Sequence, residues 1–131
     1  MTNLQSNEDV SKYRLARARE SLDVAKVLLQ KDKFSDAASN SYFCIFHAIR
    51  SVLALEGVDF KKHSAVLSYF RQHYIKTDIF DLKLSKIIDV LFNLRAKSDY
   101  SDFFVVSKKE VVEQIDNAEY FLSCVERFHN G

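Results

Sequence analysis

Arg95, Asp99 and Tyr100 stand together at the end of an otherwise apolar stretch, a guanidinium, a carboxylate and a phenol that could together receive an anion. Arg95 falls on the same helical face as Ile88 and Leu91, so it is expected to be partly buried. Asp99 follows four residues later, the spacing at which a carboxylate and a guanidinium meet on one face, and an intrahelical ion pair is the plainer reading. Tyr100 comes five residues after Arg95. In a continued helix it would point about 140° away, so a site shared by the two requires the helix to end near Ser98.

Other chemistries are harder to assemble. Zinc needs converging nitrogen or sulfur ligands, and the supply is Cys44, His47, His63, His73, Cys124 and His129, of which only Cys44 and His47 share local helical spacing. No metal is expected, and no cofactor. Cys44 and His47 lie one turn apart on an apolar segment without an orienting carboxylate, which reads as packing rather than as a nucleophile and its base. Glycine occurs only at Gly57 and Gly131, so phosphate cradles of the glycine-rich type are excluded and any nucleotide must be held by side chains.

The chain carries 19 basic and 18 acidic residues, a formal charge of +1, so only a local patch could argue for an anionic partner. Lys12, Arg14, Arg17 and Arg19, interspersed with Glu20 and Asp23, could track a phosphate backbone but suit a solvated helix face better.

The elements that must position these residues are helices. With no proline and almost no glycine, the punctuation of hairpins is missing. At 131 residues, 47% hydrophobic and 28% charged, the sequence has the composition of one globular domain, read as 1–131. Leu15, Ala18, Leu22, Ala25 and Leu29 predict a first helix from about Asn7 to Lys31, with Ser6 and Asp9 as its capping pair. Phe34, Ala38, Tyr42, Ile45, Ile49 and Val52 predict a second, apolar all round and therefore central, closed by Gly57. Leu67, Phe70 and Tyr74 predict a short helix behind a Ser64 cap, and Leu84, Ile87, Ile88, Leu91 and Leu94 a longer one, with Lys76 to Asp81 as the turn between them. Ser107 and Glu110 can cap reciprocally while Val106 and Val111 staple across the turn, so a last helix starts at Ser107 and runs to about Phe128. Short connections force antiparallel neighbours, and the expected fold is all-α: an up-and-down four-helix bundle with one additional short helix.

Cys44 and Cys124, set among apolar residues, read as buried free thiols. The polar stretch Met1 to Asn7 has no signal pattern and no apolar run approaches the ~20 residues of a membrane span, so a cytoplasmic protein without membrane attachment is expected. Between Asp99 and Val106, Phe103, Phe104, Val105 and Val106 put much apolar surface on a loop, for which a dimer interface is one cover.

Ala37-Ala38 followed by Ser41-Tyr42-Phe43-Cys44-Ile45-Phe46-His47-Ala48, a Lys62-His63-Ser64 connection, the element Arg95-Ala96-Lys97-Ser98-Asp99-Tyr100 and a capped last helix together resemble the HEPN-domain family over roughly Tyr13 to Arg127. The likeness is to its small stand-alone prokaryotic branch. It implies a helical bundle that commonly dimerises and, in many members, a metal-independent endoribonuclease that is the toxin of a toxin–antitoxin pair with a small nucleotidyltransferase. By the same resemblance Arg95, Tyr100 and Asp99 are the catalytic candidates, and Lys97, His47 and His63 the candidates for binding RNA or nucleotide.

The family's motif is an arginine followed after four to six residues by a histidine, and here that histidine position holds Tyr100. Ala96 also stands where a polar residue often follows the arginine. A phenol of ordinary pKa ~10 is a poor proton acceptor at neutral pH, although it can donate a hydrogen bond. The alternative is a non-catalytic helical interaction module, in which the Arg95 to Tyr100 element locks a helix end to its loop.

Overall fold

The computed structural model describes the backbone of residues 3–100 and 105–131 and the side chains of residues 6–99 and 105–131. Five helices account for nearly all of it: α1 (Asn3–Gln30), α2 (Phe34–Ala54), α3 (His63–Phe70), α4 (Lys83–Tyr100) and α5 (Lys108–Asn130). A π-helical turn, Arg71–Ile75, continues α3. There is no strand among the described residues.

Helix α2 packs against α1, α3, α4 and α5, while α5 also touches α1 and α4. Its central place follows from its sequence: Tyr42, Ile45, Ile49, Val52 and Leu53 on one face and Cys44, Ala48 and Ser51 on another are all fully buried. Ala18 and Ala25 of α1 and Ala37, Ala38 and Ala48 of α2 are buried too, and such small residues let two helices approach closely. The α1–α2 contact is the most extensive in the fold.

The apolar stripes fall where periodicity put them. Leu84, Ile87, Ile88, Leu91 and Leu94 of α4 are buried, as are Val111, Ile115, Ala118, Leu122 and Val125 of α5. Phe70, Phe80, Phe121 and Phe128 join the end of α3, the following turn and α5, with Phe80 5.3 Å from Phe70 and 5.2 Å from Phe128 between ring centroids.

Helix ends depart from expectation in three places. α1 begins at Asn3 rather than Asn7, because nothing in its first residues is a helix breaker and the Ser6–Asp9 pair is only a local preference. α3 begins at His63 with Lys62 at the cap position and no side-chain cap bond, which puts Ser64 inside the first turn. α4 stays helical through Tyr100 instead of ending near Ser98.

Two ends are closed by the same device. After α2, the Val58 N–H donates to Leu53 O at 3.1 Å and the Gly57 N–H to Ala54 O at 2.9 Å, with Gly57 at φ +72. After α1, Lys33 donates to Leu28 O at 2.9 Å and Asp32 to Leu29 O at 3.1 Å, with Asp32 at φ 59. Both are Schellman closures, one using glycine and the other a short polar residue that tolerates the left-handed region. At α5, the Glu110 N–H donates to Ser107 Oγ at 3.1 Å. Val106 and Val111 are buried beside it. Val106 is therefore core rather than loop surface, whereas Val105 is 84% exposed. Phe103 and Phe104 lie outside the described residues.

Candidate functional site

Arg95 leaves α4 toward α2. Its guanidinium carbon lies 4.8 Å from the centroid of the Phe43 ring and 5.2 Å from that of Tyr42, so two aromatic faces hold the cation. Its Nε lies 3.3 Å from Asp99 Oδ2, the intrahelical ion pair that the spacing predicts. The Arg95 side chain is 28% exposed and that of Asp99 44%. The cation is thus half-buried and steered, with an edge left to solvent.

Tyr42 connects Arg95 to an imidazole. Its hydroxyl and His63 Nδ1 are 3.1 Å apart, and His63 stacks on Phe46 with ring centroids at 4.0 Å. Burial pushes the Tyr42 phenol up to about 12 against the opposing pull of Arg95, so it keeps its proton at neutral pH. If Nδ1 carries the hydrogen and donates it to the Tyr42 oxygen, Nε2 of His63 keeps its lone pair free to accept a proton. His63 is held below the ordinary histidine value by burial, then by Arg95 and Arg50, and is neutral near pH 7. A neutral imidazole beside a fixed guanidinium is the pairing that can move a proton next to a bound anion.

His63 opens onto a cavity of about 380 Å³ lined also by Phe46, Arg50, Asp59, Phe60 and Lys61. Asp59 accepts from Arg50 Nε at 3.2 Å and from a terminal nitrogen of Arg50 at 2.7 Å. Burial would raise the Asp59 carboxyl, but the Arg50 hydrogen bonds, the Phe60 N–H and the Arg14 charge outweigh it and hold it below the usual carboxylate value.

Of the residues singled out from the sequence, Arg95, Asp99 and His63 are brought together through Tyr42. His47 borders the same aromatic group, 6.1 Å from Phe43 and 6.0 Å from Phe46 between centroids. Lys97 is exposed and, two residues beyond Arg95, faces another direction around α4. The Tyr100 side chain lies outside the described residues, while its backbone continues the helix.

Tyr42 and Phe43 were legible only as core, since an aromatic that supports a cation carries the same periodic signal as one that fills space. Cys44 is a buried free thiol pushed up to about 12, by burial first and then by Glu126 and Glu119, so it is not a nucleophile. Cys124 is likewise free and buried. Among the described residues no group of three or more His, Cys, Asp or Glu side chains is placed to hold a metal ion. No described helix is long and apolar enough to cross a membrane.

Comparison with known proteins agrees with this architecture. A UPF0332 protein of Thermotoga maritima is 32% identical over 124 residues, covering 95% of this chain and 94% of its own length. Two proteins of Methanocaldococcus jannaschii, provisionally named toxins, are 26% and 28% identical over 87% and 84% of the chain and 78% and 81% of their own lengths. The model of the HEPN domain matches residues 11–128, which is nearly the whole helical array described above, and the chain belongs to the HEPN domain family.

Proposed function

We propose that this chain is a toxin-like HEPN domain that binds RNA and acts on it at the face formed by Arg95, Asp99 and His63. The observation that carries the reading is the Arg95 guanidinium, fixed over Tyr42 and Phe43 with an open edge, beside a neutral imidazole. Arg95 would bind the scissile phosphate and stabilise the charge that develops on it. His63 would take the proton of the ribose 2′-hydroxyl as that oxygen attacks phosphorus, and the P–O5′ bond would break with the 5′-oxygen taking a proton from solvent water, giving a 2′,3′-cyclic phosphate and a 5′-hydroxyl. Tyr100, where the family motif has histidine, has no role in this step, because α4 continues through it and residues five apart in a helix do not share a face.

The wider assignment rests on family membership and the toxin-named relatives. It comprises a single domain over 1–131, an up-and-down four-helix bundle with one additional short helix, a homodimer in the cytoplasm, metal-independent cleavage, and a nucleotidyltransferase as antitoxin partner. The exposed Val105, just ahead of α5, is the apolar surface a partner copy would cover.

A second reading draws support from the Arg95–Asp99 pair itself, which neutralises the cation within its own helix. In it, Arg95 is a clamp between α4 and α2, and the domain is an interaction module without catalysis. Labelled RNA incubated with the native protein, Arg95→Ala and His63→Ala in the presence of a chelator separates the two. Chelator-resistant cleavage lost in both variants supports the enzyme. Intact RNA throughout, with the dimer or partner complex preserved, supports the module.

A further inference from the structure

A second cationic groove lies between α1 and α2, away from Asp99. It has a volume of about 350 Å³ and is lined by Asp9, Tyr13, Arg14, Arg17, His47 and Arg50, with Val10 at its side. Tyr13, Arg14 and Arg17 share one face of α1, and His47 and Arg50 one face of α2, so helix packing converts two ordinary spacings into a converging set.

The groove is built around positive charge. Asp59 stands between two guanidiniums, accepting from Arg14 at 3.1 Å and from Arg50 at 2.7 Å. These contacts engage only part of each guanidinium's donor set. Arg14 is 16% exposed, and both its burial and the nearby Arg50 act against its charge. Arg17 donates to the Tyr13 hydroxyl at 3.2 Å, which aims an exposed cation along the groove. Three arginines therefore line a groove whose wall holds one carboxylate, Asp9, with Asp59 shared between Arg14 and Arg50, and this excess of positive charge is relieved by an incoming anion. His47 adds a hydrogen-bonding group: its Nδ1 is buried with no partner among the described residues.

We propose that this groove is a phosphate-binding subsite that holds the backbone of single-stranded RNA. Arg50 lines both this groove and the His63 cavity, so a strand seated here runs on toward Arg95. Tyr13, 62% exposed, and Phe60, 40% exposed, flank that path as faces on which bases can stack, which favours a strand over an isolated phosphate. The identity of the ligand rests on the RNA reading above; the preference for an anion does not.

His47 reports on occupancy. It is held down to about 4 by burial first, then by Arg17, Arg50, Arg14 and His63. An anion between these groups opposes the arginines, so His47 titrates at higher pH when the groove is filled. The test is NMR titration of the His47 ring in the full chain with and without inorganic phosphate, and with ATP. Alongside it, RNA binding is measured by anisotropy across NaCl concentrations for the native protein and Arg17→Ala, whose side chain is outside the core. The expected results are an upward shift of the His47 titration with phosphate, weaker in Arg17→Ala, and a salt slope for RNA that falls by about 0.7 in the variant. A His47 titration indifferent to phosphate, with the same salt slope in both proteins, overturns the subsite. A His47 response to phosphate or ATP in a protein that binds no RNA keeps the anion site and sinks the strand. Loss of RNA cleavage with binding and His47 response intact leaves the subsite standing and counts only against the catalytic reading.

Discussion

The guanidinium of Arg95 on α4 lies 4.8 Å from the ring centroid of Phe43 on α2. That contact ties the last turns of one helix to the middle of another and presents the cation at a fixed angle. A planar, delocalised ion can stack there and still offer N–H groups at its edge, which an ammonium cannot do.

Arg95→Lys is therefore expected to abolish RNA binding or cleavage at this face while the fold remains. Arg95→Ala should cost about 1–2 kcal/mol of stability, from the aromatic contacts and the exposed pair with Asp99. Urea denaturation measures this, and a double-mutant cycle with Phe43→Leu should return a coupling of about 0.5–1 kcal/mol. A coupling near zero would show that the stacked geometry contributes nothing.

Stability should fall with acid above the range in which carboxylates titrate. His47 is held at about 4, chiefly by burial, and His63 and His129 are also depressed by burial. Each binds its proton more readily when unfolded, so stability is full above the unfolded value near 6.5 and declines as pH drops toward 4. For His47 the loss is on the order of 1–3 kcal/mol after allowance for its partial exposure. Denaturation midpoints between pH 7 and 4 check this, and His47→Gln should flatten the decline. Asp59, depressed rather than raised, adds its own loss only below about pH 4.

Ser107→Ala should destabilise the chain by about 1 kcal/mol, since the hydroxyl satisfies the Glu110 N–H at the start of α5. Ser107→Asp should retain most of the stability, because a carboxylate accepts the same bond and favours a helix N-terminus. Equal losses in the two variants would mean that the cap bond does not matter.

Gly57→Ala should cost about 1–2 kcal/mol, because φ +72 is disfavoured for any residue with a Cβ. The added carbon would also come 3.3 Å from Asn7 Nδ2, a contact a side-chain rotation can relieve. The loss should therefore persist when Asn7 is shortened to alanine, and thermal melting of the single and double variants decides it.

The helices themselves were legible residue by residue. Tyr42, Ile45, Ile49 and Val52 recur at the helical period and are buried on α2, and the Ser107 cap needs only its own turn to form. Helix ends were less legible: α1 and α4 both run beyond their expected limits, because the signal at Ser6 or Ser98 is worth less than a continued helix without a breaker. The Arg95–Asp99 pair was readable since both partners lie on one helix.

What the chain order could not reveal is which faces meet. Arg95 finds Phe43, Tyr42 finds His63, and Arg14 finds Arg50 around Asp59, each across a helix–helix or helix–loop contact set by how the apolar stripes pack. Sequence by itself determined helix type, approximate extent and buried face, because those depend on neighbours within a turn. Only the tertiary structure decided the site, because a charge's partners and the shape of a groove depend on side chains brought from distant helices, and local spacing carries no information about them.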